Sequence, residues 1–361
     1  MNVARLWTIA RLELLQRVRS VSWYVLLGVF AAVLVGVTAL SFLAFGGMSD
    51  SGGPGVYSTV VYITLLLVVL VSPTLSGNSI NGDRDAATLA GVQVTLATTS
   101  EILFGKLLAA WITGLAFAAV AVPFLVVATL AGGVDPLTVL VSAVILLVEV
   151  GIIAAIGVAL SGILARPLFS VATTYLVVAA LAVGTLIGFG LVGMSSQSTY
   201  TSSYRYAVYD PQTGAPECVE GADRCVNDPE NWQCGPWETQ SYTGPRFDRV
   251  WWLLAANPFV ILADASPTNY TEYGTPDDLF GQIKLGVRYA QLTPELESTW
   301  DECAVQTDTT QREARDVIDS TVPSWFVGLG VQLLLAAGLL WWAWARTRTP
   351  ARTLPPGTRI A

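Results

Sequence analysis

The sequence has no histidine among its 361 residues, and this absence removes several kinds of chemistry. Ser-His-Asp and Cys-His nucleophiles, HExxH zinc sites and histidine proton relays all need an imidazole ring. The GxxxxGK[ST] phosphate-binding loop is absent as well, because Gly105-Lys106 is followed by leucine. We therefore expect a chain that is not an enzyme and that binds no cofactor of its own.

Charge is also scarce. Charged residues make up 13% of the chain and hydrophobic residues 53%, a balance that is unusual for a soluble domain. A helix needs about 20 mostly apolar residues to cross a bilayer, and six stretches meet this requirement. They are Trp23–Phe45, Val56–Thr74, Ile102–Leu130, Pro136–Leu164, Leu168–Val192 and Ser324–Trp344. We predict an all-α polytopic membrane protein with five spans in residues 23–194 and the sixth in 324–346.

The basic residues indicate the orientation of these spans. Six alternating spans place most of the basic residues on one side, namely Arg5, Arg11, Arg17, Arg19, Arg84, Lys106, Arg166, Arg346, Arg348, Arg352 and Arg359. The positive-inside rule makes that side cytoplasmic. Both termini, including the tail 347–361, are therefore predicted to be cytoplasmic.

Residues 1–22 form a basic leader ahead of the first span. Apolar residues recur there at helical spacing on one side and arginines occupy much of the rest, which is typical of an amphipathic helix in the membrane interface. We predict an elbow helix that contacts membrane lipids, with an ordinary charged flank as the alternative. A cleaved signal peptide is disfavoured, because the first apolar run has full spanning length and no small-residue cleavage site follows it.

The segment 195–323, between the last two spans, differs sharply from the rest. It has 20 acidic residues against eight basic ones, a net charge of −12, and it contains every cysteine: Cys218, Cys225, Cys234 and Cys303. An even number of cysteines in an exported segment favours disulfides, with three possible pairings, over a zinc site that lacks both a CxxC pair and histidine. We predict an extracellular domain with two disulfides.

Two further features lie in this segment. It holds eight of the 12 tyrosines and several tryptophans, which could line a ligand surface or, as we favour, pack a small core. Residues 249–265 form an apolar run that is too short to span and is interrupted at Asn257-Pro258-Phe259. This pattern predicts a re-entrant or interfacial segment, with a buried helix of the extracellular domain as the alternative. Residues 282–292 and 301–318 look helical.

A single charge, Glu149, lies near the middle of the fourth span. An ionised carboxylate is costly there and normally faces a partner or a wet path. Glu149 is therefore either part of a substrate or cation path, or a structural group that is protonated or hydrogen-bonded to a Ser, Thr or Asn on a neighbouring helix.

The stretch GDRDAATLAGVQVTLATTSEILFGK, Gly82 to Lys106, is polar and helix-prone, and it separates the second and third spans. Asp83 and Asp85 stand where a helix N-terminus favours carboxylates, and Leu89 and Val92 give the helix an apolar patch. A short cytoplasmic helix without catalytic residues indicates a docking element.

This loop resembles that of the type-2 ATP-binding-cassette (ABC) transporter permeases. The family pattern is a charged run, Gly-Thr-Leu, a leucine-rich helix, a Pro-containing turn and Glu-Ile-x-x-Gly-Lys. Here the corresponding residues are Asp83, Arg84, Asp85, Thr88, Leu89, Glu101, Gly105 and Lys106. Ala87 and Leu96 depart from the usual glycine and proline. The order of elbow, six spans, loop and NPF segment also matches the family.

The resemblance implies that the loop 78–101 contains a coupling helix, at about residues 83–94, which docks on a cytoplasmic ABC ATPase subunit through Leu89 and Val92. ATP and Mg²⁺ would be bound by that separate ATPase chain. The family also implies a dimer with a second permease copy or a paralogue, a location in the bacterial plasma membrane, and no nucleic acid partner.

The function expected on this basis is export of a hydrophobic or amphipathic substrate such as a drug, a lipid or a peptide. Sodium or proton extrusion is an alternative if Glu149 is functional. A membrane receptor or sensor, whose acidic domain binds an extracellular ligand and which transports nothing, is the alternative from a different class.

Overall fold

The computed structural model describes residues 2–46, 52–86, 98–219, 225, 229–304 and 312–348. The chain forms two compact units. The first comprises Met1–Leu186, Leu253–Gly286 and Pro323–Ala361, and the second comprises Ile187–Trp252 and Val287–Val322. Part of the segment predicted as one extracellular domain, Leu253–Gly286, thus belongs by its contacts to the first unit.

Helices dominate the described residues. In chain order they are α1 (Val3–Val18), α2 (Val21–Phe45), α3 (Gly53–Ser76), α4 (Asn81–Asp85), α5 (Thr99–Leu130), α6 (Pro136–Ile163), α7 (Pro167–Ala179), a π-helical turn (Ala180–Gly184), α8 (Thr185–Ser195), α9 (Trp252–Ala255), α10 (Pro258–Ala265), α11 (Leu279–Tyr289), α12 (Ala314–Ser320) and α13 (Trp325–Thr347). Six helical segments are long and apolar enough to cross a membrane, namely α2, α3 with its extension to Asp85, α5, α6, α7 to α8, and α13. The prediction of six such segments is confirmed.

Local signals in the sequence explain where the long helices begin. Asp135 accepts a hydrogen bond from the Thr138 N–H at 3.0 Å and Pro136 occupies the first turn, so α6 starts with a side-chain cap and a residue whose missing N–H costs nothing. Thr98 and Glu101 form a capping box at the start of α5.

The core of the first unit lies along α3 and α6. Together with α5, these two helices carry most of its buried apolar side chains; α3 and α6 pack against each other and against α5, while α6 also packs extensively on α13. Gly328 of α13 permits close approach to α9, because a Cβ at that position would lie 1.7 Å from the Ala255 carbonyl oxygen. A larger residue at this position would separate α13 from the segment that precedes α10.

The segment 252–265 is broken into two short helices, α9 and α10, at Asn257. Helix α10 packs against α6, α13 and the π-helical turn, and its residues Val260, Ile261 and Leu262 are buried. This run therefore lies among the long helices of the first unit, which is the arrangement that the re-entrant prediction requires; its depth in a membrane stays a prediction.

The second unit contains a three-stranded sheet, so the all-α prediction is wrong in this region. Its strands are β1 (Gln197–Arg205), β2 (Glu238–Pro245) and β3 (Glu297–Asp301), in the order β2-β1-β3. Strand β2 pairs antiparallel with β1, with Tyr200 opposite Tyr242, and β3 pairs parallel with β1. Their alternating Thr, Ser and Tyr residues favour strands, since these side chains suit an extended backbone. The helix predicted over 301–318 is confined, among the described residues, to α12.

Two disulfides connect the cysteines of the second unit, Cys218 to Cys225 and Cys234 to Cys303. The expected number of bridges is confirmed, and the structure selects one of the three possible pairings. The aromatic residues of this unit do not form a compact core as predicted: Tyr242, Trp237 and Trp300 are 54%, 48% and 46% exposed. Tyr242 lies on β2 and Trp300 on β3, while Trp237 immediately precedes β2.

Candidate functional site

A buried lysine joins three separate segments at one end of the first unit. Lys106, which is 3% exposed, forms ion pairs with Glu13 of α1 and with Asp83 of α4, the latter with 2.6 Å between Nζ and Oδ2. The two carboxylates are partly exposed, whereas the ammonium group is enclosed. Lys106 thus fixes the elbow helix and the start of the 78–101 loop to the first turns of α5.

The residue before this lysine also has a structural role. A Cβ on Gly105 would lie 3.0 Å from the Cβ of Ile9 and 3.1 Å from the carbonyl oxygen of Leu6, so glycine lets α1 lie close against α5. The predicted Gly-Lys pair therefore acts as a unit. Glycine provides the close approach of the helices, and lysine provides the ion pairs.

The end of the 78–101 loop is fixed by Glu101. Its Oε2 accepts from the Thr98 N–H at 2.9 Å, and its Oε1 accepts from the Asn2 N–H at 2.6 Å. One carboxylate therefore caps α5 and at the same time ties the start of the elbow helix to it. Because the side chain is 2% exposed, these N–H groups are the interactions that replace its hydration.

The start of the loop is fixed by the end of α6. The Ser161 hydroxyl accepts from the backbone N–H groups of Ile80 and Asn81, at 2.8 and 3.1 Å, and donates to Asn81 Oδ1 at 3.0 Å. We call the residues Asn2, Glu13, Asp83, Glu101, Lys106 and Ser161 the elbow–loop junction. They hold both ends of the 78–101 loop against α1, α5 and α6.

The remaining predicted docking residues are divided by the limits of the described chain. Arg84 is half-buried and Asp85 is exposed in α4. Thr88, Leu89 and Val92 lie outside the described residues, so their role stays a prediction. Sequence reasoning identified Glu101, Gly105 and Lys106 but missed Glu13 and Ser161, because these partners are far away in the chain and have no local signal.

The NPF segment is organised by Asn257. Its Oδ1 accepts from the N–H groups of Phe259 and Val260, which caps α10, and Pro258 occupies the first turn. Its Nδ2 donates to the Ala182 carbonyl oxygen at 2.7 Å and to Thr185 Oγ1 at 2.9 Å. Asn257 therefore also satisfies a carbonyl in the π-helical turn, where the regular helical hydrogen-bond pattern is interrupted.

Helix α10 is also tied to the start of α13. Asp264 Oδ2 accepts from the Ser324 N–H at 2.5 Å, from the Ser324 hydroxyl at 2.9 Å and from the Trp325 N–H at 3.0 Å. A carboxylate at this place satisfies the first N–H groups of the helix and complements its dipole. Sequence reasoning missed Asp264, although a lone acidic residue in an apolar run was a signal.

Glu149 is fully buried within α6, and the side chain that faces it is Gln332 of α13, not the Ser, Thr or Asn that the sequence suggested. Gln332 was not singled out because it is uncharged. Among the described residues, no group of three or more His, Cys, Asp or Glu side chains is arranged to hold a metal ion.

Asp278, just before α11, is the clearest perturbed group outside the long helices. Burial raises its pKa to about 7, and the neighbouring Asp277 acts in the same direction, while the Gly281 N–H that it accepts at 2.7 Å and the Lys284 ammonium oppose the rise. This carboxyl therefore changes charge near neutral pH.

The sequence matches no protein-family model, and no curated protein matches it.

Proposed function

We propose that this chain is the membrane subunit of an ATP-driven exporter of the type-2 ABC permease kind, and that a separate ATPase chain docks on its 78–101 loop. The observation that carries the proposal is the elbow–loop junction. A docking loop can move a membrane domain only if its ends are rigidly attached to the helices that must move. Here both ends are held by buried polar contacts to α1, α5 and α6.

The mechanism that follows is mechanical. Closure of two ATPase subunits on ATP would push the loop, and Lys106 would carry the displacement into α5 and the elbow helix together. Ser161 would carry it into α6, which packs on α13. Two copies of the membrane subunit would then shift between inward-open and outward-open states.

The composition of the long helices supports a hydrophobic or amphipathic substrate. Away from their ends, Glu149 is the one Asp, Glu, Lys or Arg in the six spanning segments. A small, strongly polar solute would find few fixed charges to replace its hydration.

Co-purification tests this proposal. The chain is expressed with the ABC ATPase encoded nearest to its gene, as wild type, as Leu89→Asp and as the conservative control Leu89→Met. We expect a complex that hydrolyses ATP with wild type and with Leu89→Met, and loss of the complex with Leu89→Asp. The absence of any complex, or an unaffected complex with Leu89→Asp, would refute the docking role.

A receptor function is the second candidate, and the exposed aromatic residues of the second unit favour it. Tyr200 and Tyr242 stack with their ring planes 7° apart, and Arg205 lies over the Trp237 ring. A ligand-binding surface made of Tyr242, Trp237 and Trp300 would keep its binding when Leu89 is changed to Asp. An exporter would lose ATP-dependent transport with the same substitution.

A further inference from the structure

The buried carboxylate of Glu149 lacks hydrogen-bond donors. Neither Oε1 nor Oε2 has a donor within hydrogen-bonding geometry in the described part of the chain, and the residue is 0% exposed. Glu149 is 13 residues from the start of α6 and 14 from its end, which places it about 20 Å along the helix from either end. An ionised carboxylate in this position would be neither hydrated nor paired.

The side chain that faces Glu149 is Gln332, and it adds another buried oxygen without a hydrogen-bond donor within the described ranges. Gln332 Nε2 donates to the Ala256 carbonyl oxygen at 3.0 Å, in the link between α9 and α10. Gln332 Oε1 is buried and has no donor among the described residues. Rotating the amide by 180° would place Oε1 against the Ala256 oxygen instead, so the recorded orientation is the favourable one.

The helices packed against α6 supply no counter-charge. Their titratable groups, and that of α10, are Tyr57 and Tyr62 on α3, Glu101 and Lys106 at the start of α5, Tyr175 on α7, Asp264 on α10 and Arg346 at the end of α13. Each of these that is buried has its own partners, such as Ser142 for Tyr57, and within the described residues none of them interacts with the Glu149 carboxyl.

Among the described residues, these three side-chain oxygens have no donor in hydrogen-bonding geometry, and the Gln332 amide, which interacts with Glu149, has one further N–H besides the one that the Ala256 carbonyl oxygen accepts. We propose that Glu149 is a proton-binding site, and that its carboxylic acid O–H donates to Gln332 Oε1. One proton removes the buried charge and supplies the missing donor in a single step. A metal cation fits less well, because hard cations take about six or more oxygen ligands and three side-chain oxygens are present.

The Glu149–Gln332 pair joins α6 to α13. Because Gln332 also donates to the Ala256 carbonyl oxygen, the pair is connected to the residues just before the NPF segment. When α6 and α13 separate, water reaches Glu149, the O–H bond breaks, and the proton passes to water while the carboxylate becomes hydrated. Proton release would thus accompany opening of this helix pair. The inference concerns the chain alone and does not rest on the proposed function.

Infrared spectroscopy of the purified chain in lipid nanodiscs tests the proposal. A protonated carboxylic acid has a C=O stretching band that is separate from the amide bands and shifts in D2O. Asp278 would contribute a similar band, so every sample carries Asp278→Asn and is measured at about pH 7, where exposed carboxyls are ionised. We expect the band in this background and its loss when Glu149→Gln is added.

A second variant keeps the test valid if Glu149→Gln does not fold. Gln332→Leu removes the acceptor and retains the acid, so the band should persist and move to the higher frequency of a carboxylic acid without a hydrogen bond. A band that is absent from the background sample, that is the same with and without Glu149, or that disappears on addition of sodium chloride would overturn the proposal. The last result would indicate a sodium ion at the site.

Discussion

Lys106 shows how much depends on one buried charge. Its ammonium group is enclosed, and among the described residues it forms ion pairs with the carboxylates of Glu13 and Asp83. Either one is enough to balance it. Both must be absent before a charge is buried without compensation, and such a charge costs several kcal/mol.

We therefore predict strongly non-additive effects at this junction. Glu13→Gln or Asp83→Asn alone should lower the free energy of unfolding by about 1 kcal/mol, and the double variant by about 3 kcal/mol or more. Denaturant titration in detergent measures these values. Glu13→Gln combined with Asp85→Asn, which neutralises the exposed neighbouring carboxylate, is the matched control and should be additive. Additive costs in the Glu13/Asp83 pair would show that Lys106 is not the shared partner.

Asn257 carries a prediction that separates its two roles. Asp and Asn are equally good N-caps, so if capping were the whole role, Asn257→Asp would be neutral. Aspartate cannot donate to the Ala182 carbonyl oxygen, and it brings a negative charge to the same place. We expect both Asn257→Asp and Asn257→Ala to destabilise the chain by about 2 kcal/mol, measured by thermal unfolding. An unfolding temperature for Asn257→Asp equal to that of wild type would show that this residue acts only as a helix cap.

At the scale of elements, the start of α11 should make stability depend on pH. The pKa of Asp278 is raised in the folded state to about 7, so the folded chain binds more protons than the unfolded chain between about pH 4 and pH 7. Stability should therefore fall as pH rises through this window, by about 2 kcal/mol from pH 5 to pH 8. Unfolding temperatures measured across the window should fall less steeply for Asp278→Asn. An equal slope in the variant would remove Asp278 as the cause.

The two disulfides should differ in their contribution to stability. Cys234–Cys303 connects residues 69 positions apart, whereas Cys218–Cys225 connects residues seven apart. The longer loop loses more chain entropy in the unfolded state, so replacing its cysteines with serine should cost about 4 kcal/mol, against about 2 kcal/mol for the shorter one. Proteolysis of the second unit under native conditions compares the two double-serine variants. Greater sensitivity after loss of Cys218–Cys225 would contradict the loop-length argument.

The elements also show what sequence reasoning can and cannot reach. Hydropathy located all six long helices, because a membrane-spanning helix requires a continuous run of about 20 mostly apolar residues, and such a run is visible in the sequence. The π-helical turn was missed because Ala180–Gly184 has no local signal; the Ala182 carbonyl oxygen in this turn accepts from Asn257, 75 residues away. The sheet was missed because Gly and Pro in neighbouring segments suggested loops, although the Thr and Tyr alternation of β1 was informative.

At the candidate site too, residues with a local sequence signal were found and their distant partners were not. Glu101, Gly105 and Lys106 were found from a contiguous motif, and Glu149 was found because a charge in an apolar run stands out. Their partners Glu13 and Gln332 were not found, since one lies among many charges and the other carries none. A pairing between distant residues is set by packing, which a single sequence does not display.

At the scale of the whole molecule, the elbow–loop junction and the interior of the helix bundle have separate proposed roles. The elbow–loop junction would receive force from an ATPase, and the Glu149–Gln332 pair would respond inside the helix bundle. Transport depends on the first of these roles, because without docking at the 78–101 loop no force enters the molecule.

Hydrogen–deuterium exchange of the nanodisc-bound chain, with and without the ABC ATPase encoded nearest to its gene, tests that dependence most directly. The account predicts that the ATPase slows exchange in residues 82–106 and in the elbow helix, and leaves exchange in residues 195–252 unchanged. Unchanged exchange in residues 82–106, or slowing confined to the second unit, would contradict it.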